Sequence, residues 1–260
     1  MLRIAGCSVF TMALLLLSMT ARAAVIEFVP SVGVGMSTLD FHQKLPNGDT
    51  NNQNGDFTIA YVSGAFIVDR IIVNASMDIP FNDDHFYRDN PLPQVNGVSQ
   101  VGREDYNVTF GYAVRDWVTV FTGWSIGITE FTSTTQPNNM GYISRHDDSG
   151  PFAGVSIAYN MGDNGSVGFD VAYASFNSEI NNRTPDPALT SLNHQKIIGD
   201  TTGLSYGVQW NSTPGKLASY FVKIRIRDYR FDAQTSNKSP GPVNLEIDKN
   251  FTMFIVGVSF

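Results

Sequence analysis

Cysteine is almost missing from this chain. Cys7 is the only one in 260 residues, and it sits in an apolar N-terminal stretch that reads as a cleaved leader. The remainder can form no disulfide, so its stability has to come from backbone pairing and burial. Charge is also sparse, with charged residues at 16% and a formal net charge of −7. That acidic balance argues against a nucleic-acid partner. Beyond the leader, no stretch approaches the roughly 20 apolar residues that a membrane helix needs. There is no His-Glu-x-x-His zinc motif, and Gly-rich pieces such as Val32-Gly-Val-Gly35 belong to strands rather than to a phosphate loop. No metal or cofactor is expected.

The leader itself is informative. Met1-Leu-Arg3 precedes an apolar run from Ile4 to Met19, followed by the small-residue motif Ala21-Arg-Ala23. Residues 1–23 are expected to be a secretory signal peptide, and residues 24–260 a single exported domain. Losing Arg3 and Arg22, with no acid in the leader, takes the formal charge from −7 to −9.

What the chain does have is alternation. Ten segments carry a period-two pattern, at about 25–41, 56–67, 70–82, 104–113, 117–131, 150–162, 166–178, 198–210, 216–232 and 248–260. Their apolar members share one face, as in Tyr106, Val108, Phe110 and Tyr112, or Tyr220, Val222, Ile224 and Ile226. The interleaved positions are mostly Gly, Ser, Thr, Asn, Ala or charged, and poor in the Lys and Glu of a water-facing surface. Short turns fall at Val68-Asp-Arg70, Val114-Arg-Asp116, Gly162-Asp-Asn-Gly165 and Asn211-Ser-Thr-Pro-Gly215. Long polar loops are expected at about 42–55, 83–103, 132–149, 179–197 and 233–247. The last segment ends the chain on Phe254, Val256, Val258 and Phe260, an apolar face that would aggregate in water and is at home against lipid.

These features together resemble the Gram-negative outer-membrane β-barrel proteins. The fold expected is all-β, an antiparallel transmembrane β-barrel of about ten strands with short periplasmic turns and long extracellular loops. The resemblance implies an outer-membrane location, contact with lipid and lipopolysaccharide, delivery by the barrel assembly machinery with Phe260 as its assembly signal, and a monomer. It fixes place and fold, not activity. A soluble lipocalin-type barrel or a secreted sandwich is the alternative fold.

With the apolar face outward, the lumen receives Glu27, Asp78, Asp170, Lys223, Arg225 and Arg227, candidates for an internal ion-pair or selectivity set. Asp78 and Lys223 lie at similar depth. Three cations in register on one strand suggest either a charge-paired plug or a narrow channel for anionic solutes; ten strands leave little room for the latter. His42, His85, His146 and His194 all fall in or beside the expected loops, with acidic neighbours in Asp83-Asp84-His85 and His146-Asp147-Asp148. Ten strands with Asp and His at the outer rim look like the omptin proteases. That family pairs two aspartates across a cleft from an Asp-x-His couple. This chain has no Asp-x-Asp, and its fourth loop offers only Asn193-His194-Gln195. Nor does the sequence nominate a nucleophile of the lipid A hydrolase type. Arg88, Arg103, Arg145, Lys196 and Arg230 are expected near the outer rim, available to lipopolysaccharide phosphates. The leading expectation is a non-enzymatic surface or binding protein; a porin-like channel and an omptin-like protease are the alternatives.

Overall fold

A computed structural model describes residues 26–44, 50–81, 84–88, 99–135, 140–183, 194–213, 218–238 and 245–260. The leader lies outside the described residues, as do Asp83 and the side chains of Asp84, His85 and Arg88. The strands are β1 (Ile26–Lys44), β2 (Thr50–Val68), β3 (Ile71–Pro80), β4 (Asp84–Arg88), β5 (Ser99–Arg115), β6 (Val118–Thr135), β7 (Met140–Asn160), β8 (Ser166–Arg183), β9 (Gln195–Asn211), β10 (Ser219–Ser236) and β11 (Glu246–Ser259). Strands β3 and β4 lie end to end between β2 and β5, so eleven strands make ten staves.

All neighbours are antiparallel, and the sheet closes where β11 meets β1 in register from Ser31↔Ser259 to Lys44↔Glu246. The seam is reinforced by a Ser31–Ser259 hydroxyl hydrogen bond of 2.8 Å and by the Phe260 N–H, which donates to the Pro30 carbonyl at 3.0 Å. The terminal strand is therefore the closing stave, as its alternation predicts, and closure removes the free edge. At the short-turn rim, β2 turns into β3 through Asp69, whose φ of 53° fits the tolerance of Asp for that region. A single 3-10 turn, Gly162–Asn164, joins β7 to β8. It ends at Gly165 with φ 86°, where a side chain would meet the Asn211 carbonyl.

The strands are longer than the sequence pattern suggests. Strand β7 has 21 residues and β8 has 18, and both enter regions expected to be loop. Most of 42–55, 132–149 and 179–183 is strand, as are 99–103 and 195–197. The reason is that the inside–outside pattern inverts part way up the barrel. In the half nearest the short turns, apolar side chains point outward: Val34, Phe66, Phe110, Trp124, Val155, Phe169, Tyr206, Ile224 and Phe254 are all exposed. In the other half the outward positions are polar, including Asp40, His42, Asp56, Glu104, Glu130, Arg145, Glu179, Asp228 and Asp248, while the inward ones are apolar. The buried core lies there, with Leu39, Phe41, Phe57, Ile59, Phe131, Phe176, Ile180, Phe231, Ile247 and Phe251.

Geometry gives the two zones their sizes. At about 2.5 Å of axial rise per tilted residue, the apolar exterior of β7 from Pro151 to Tyr159 spans roughly 20 Å, close to the ~25 Å apolar band of a bilayer-spanning barrel. The strand continues beyond that band, and its polar exterior from Arg145 to Ser149 adds roughly another 10 Å by the same rise. One part of the barrel thus has a lipid-facing exterior and the other a water-facing exterior over an apolar interior. Tyr112, Trp117, Trp210 and Phe260 are exposed at the short-turn rim, where an interfacial girdle belongs.

Candidate functional site

The lumen is crossed by a layer of charge at the level where the two zones meet. Arg227 on β10 reaches Asp105 on β5, the diametrically opposite stave, with Nη1 donating to Oδ2 at 2.6 Å. Its Nη2 also lies 3.8 Å from the Asp78 carboxylate on β3. Arg103, two residues before Asp105 on the same face, donates from Nε and Nη2 to that carboxylate and from Nη1 to Thr129. Its guanidinium stands 4.2 Å from the centre of the Phe251 ring on β11. Lys249 on β11 bonds Asp148 on β7 at 2.9 Å, and Asp148 also accepts from the Ser178 hydroxyl at 2.7 Å. Three cations, Arg103, Arg227 and Lys249, face three carboxylates, Asp78, Asp105 and Asp148, and all six are nearly inaccessible to solvent.

The aromatic core closes the same section. Phe41 and Phe131 meet edge-on with ring centres 5.0 Å apart, and both contact the ring of His146. Tyr229 bridges Phe176 and Phe251. Five of the six buried ions are tolerated because each is paired and hydrogen-bonded across a short distance; Asp78 has only its ion pair with Arg227, and its Oδ1 is buried without a hydrogen bond.

The expected site residues divide. Asp78 and Arg227 belong to the layer and form an ion pair. Lys223 does not pair with Asp78: its ammonium lies 5.0 Å over the Tyr61 ring, because Tyr61 and Phe221 fill that wall of the lumen. Their rings are 5.8 Å apart, and Phe221 packs on Gly33 and Gly257; a side chain at Gly257 would collide with it. Asp170 and Arg225 line a cavity below the layer. Glu27 sits exposed at the short-turn end, away from the network.

Several members of the layer escape sequence reasoning. Arg103 was expected at the outer rim, yet it is 3% exposed and points into the lumen. His146, expected in a loop, is buried on β7, with Nε2 sharing a 3.1 Å hydrogen bond with Ser144. Asp105 and Lys249 were not singled out, and Asp148 was named only as an acidic neighbour of His146 in an expected loop. The signal for them was parity: Arg103 and Asp105, or Ser144, His146 and Asp148, alternate with outward residues on one strand. The rim cations with described side chains pair with acids on the polar exterior, Arg145 with Asp147, Lys196 with Glu179 and Arg230 with Asp232 and Glu246. His42 is exposed on β1, bonded to Asn52 at 2.8 Å. His194 lies in the turn before β9 with φ 57°.

Ser144, His146 and Asp148 share an inward face, but they are not arranged as a nucleophilic triad. His146 Nδ1 is buried without a hydrogen bond, and Asp148 is held by Lys249, Ser178 and Thr201 instead. Among the described residues, no group of three His, Cys, Asp or Glu is placed to hold a metal ion.

No known protein family matches the chain, and no curated protein matches it in sequence. Solved structures do. The outer membrane protease OmpT from Escherichia coli superimposes with a TM-score of 0.65 at 12% identity, over 94% of this chain and 99% of that one. The translocator domain of the autotransporter NalP from Neisseria meningitidis superimposes with a TM-score of 0.52 at 9% identity, over 98% and 94%. At such identities the likeness concerns fold alone. The chain is a closed ten-stave antiparallel barrel of the outer-membrane β-barrel class.

Proposed function

We propose that this protein is a non-conducting, non-enzymatic surface barrel of the Gram-negative outer membrane, a rigid turret that holds its loops away from the lipid. The observation that carries this reading is the layer across the lumen. Arg227–Asp105 and Lys249–Asp148 join staves on opposite or well-separated walls, and the aromatic core above them fills the remaining section. A continuous aqueous path would require those ions to part, each leaving an uncompensated buried charge.

The turret follows from the inverted pattern. A barrel wall with a polar exterior and an apolar interior is stable in water, so the half above the lipid band needs no further cover. The end of the barrel opposite the short turns faces the outside. Lipopolysaccharide and outer-membrane lipid are the surroundings of the lower band, and Phe260 acts as the signal for the barrel assembly machinery. The protein functions as a monomer.

The experiment exploits the absence of cysteine after Cys7. Asn237→Cys in the β10–β11 connection should react with a membrane-impermeant maleimide on intact cells, and Asp163→Cys in the β7–β8 turn only after lysis. Proteoliposomes holding the protein should release no trapped sugar or small anion. The reverse labelling pattern overturns the orientation, and steady solute release overturns the sealed lumen.

A further inference from the structure

Below the charged layer, the lumen opens into a cavity of about 310 Å³. Its walls run from Ile72, Gly111 and Thr119, each next to a short turn, up to Arg227 and Tyr229. It forms a vestibule on the short-turn side of the layer. The opposite wall is filled by Phe221 and Tyr61, so the space is enclosed by β3 and by β5 to β10.

Its charge is not balanced. The layer above uses its three cations on three carboxylates, but the vestibule holds Lys223 and Arg225 against Asp170 alone. Arg225 forms no ion pair with any described residue, and its Nε is buried without a hydrogen bond. The Asn107 amide nitrogen is likewise buried and unpartnered, and so is Asn74 Oδ1; both residues line the same cavity. Arg225 as a whole is half-buried, but its buried Nε–H asks for an acceptor, and a planar fork suits an oxyanion better than a spherical ion.

We propose that the vestibule is a binding site for a small oxyanion, a carboxylate or phosphate group, held by Arg225 with Lys223 supplying charge and Asn107 a neutral donor. Asn74 Oδ1 takes a hydroxyl or water carried with the ligand. Asp170, on the β8 wall, limits the excess to one positive charge and so favours singly charged anions over polyanions. The volume sits at the small end of ligand pockets. The site lies wholly below the sealed layer and stands apart from the role proposed for the turret.

The test uses the full barrel in detergent micelles, with acetate and inorganic phosphate as probes and chloride as the reference at equal ionic strength. The Arg225 Nε–H resonance should shift saturably with at least one oxyanion and not with chloride. By calorimetry, Arg225→Gln should weaken that probe about tenfold or more, the loss of a charge-assisted bond, while Asp170→Asn should tighten it. A hydrated lumen only, giving the same unsaturable shift with all three ions, overturns the proposal. So does Arg225→Gln binding as wild type. Should Arg225→Gln lose its heat-modifiable gel mobility, the wild-type titration and Asp170→Asn decide alone: failure of the oxyanion to saturate, or no tightening in Asp170→Asn, refutes the site.

Discussion

Arg227→Met removes one charge from the layer while keeping most of the side-chain volume. It leaves Asp105 with Arg103 as its sole cation and deprives Asp78 of the guanidinium 3.8 Å away. Removing one partner of a buried pair costs about 3–5 kcal/mol, because the abandoned charge stays out of water. Arg227 borders the cavity beneath the layer, which leaves room for the abandoned charge to be partly rehydrated, so we expect the lower end, about 3 kcal/mol. The assay is reversible urea unfolding of the barrel in lipid vesicles, followed by tryptophan fluorescence. Asp105→Asn should be destabilising alone, and the double variant Arg227→Met/Asp105→Asn should cost less than the sum of the two by about 1–2 kcal/mol, as contacting residues do. A single-variant loss below about 1 kcal/mol, or strict additivity, would refute the view that a desolvated ion pair spans the lumen.

The zone boundary can be tested on one face of β10: Ile224→Arg should cost about 2–4 kcal/mol and lower folded yield, as a cation facing lipid does. Asp228→Arg, four residues on and above the band, should change stability by no more than about 0.5 kcal/mol; equal costs would move the boundary. Gly257→Val places a side chain into the Phe221 ring and should destabilise by about 1–3 kcal/mol in the same unfolding assay through overpacking, with wild-type stability arguing that Phe221 lies elsewhere. Phe260→Ala should reduce the fraction of barrel that shows heat-modifiable mobility in outer-membrane extracts; normal assembly would show that the terminal aromatic is not read.

The lower half of the barrel was legible because its sequence signal is one-signed. Val32, Val34 and Met36, or Tyr106 to Tyr112, put bulky apolar groups on alternate positions against Gly, Ser, Thr and Asn, and lipid-facing strands are the physical reading of that pattern. The upper half was misread because the same alternation continues with the faces exchanged. In β1 the series Val34, Met36, Thr38, Asp40 and His42 all points outward, while Gly35, Ser37, Leu39 and Phe41 point inward. Scored for an apolar exterior, the last part looks like a polar loop. Its parity, however, never breaks, and following parity rather than hydrophobicity would have carried β1 to Lys44 and β8 to Arg183.

The charged layer suffered from the same error. Arg103, His146 and Asp148 were assigned to loops because charge was taken as a mark of solvent, yet each holds the inward parity of its strand. Lys223, Arg225 and Arg227 were found because they interrupt a strand already recognised. Their partners depend on which staves face each other across the closed barrel, and that is set by strand order and stagger, which no local pattern encodes.

The sealed lumen is tested most directly by single-channel recording of the purified protein in a planar bilayer. Insertion should be electrically silent for the wild-type barrel under either polarity. A steady, reproducible conductance from the wild-type protein would contradict the account.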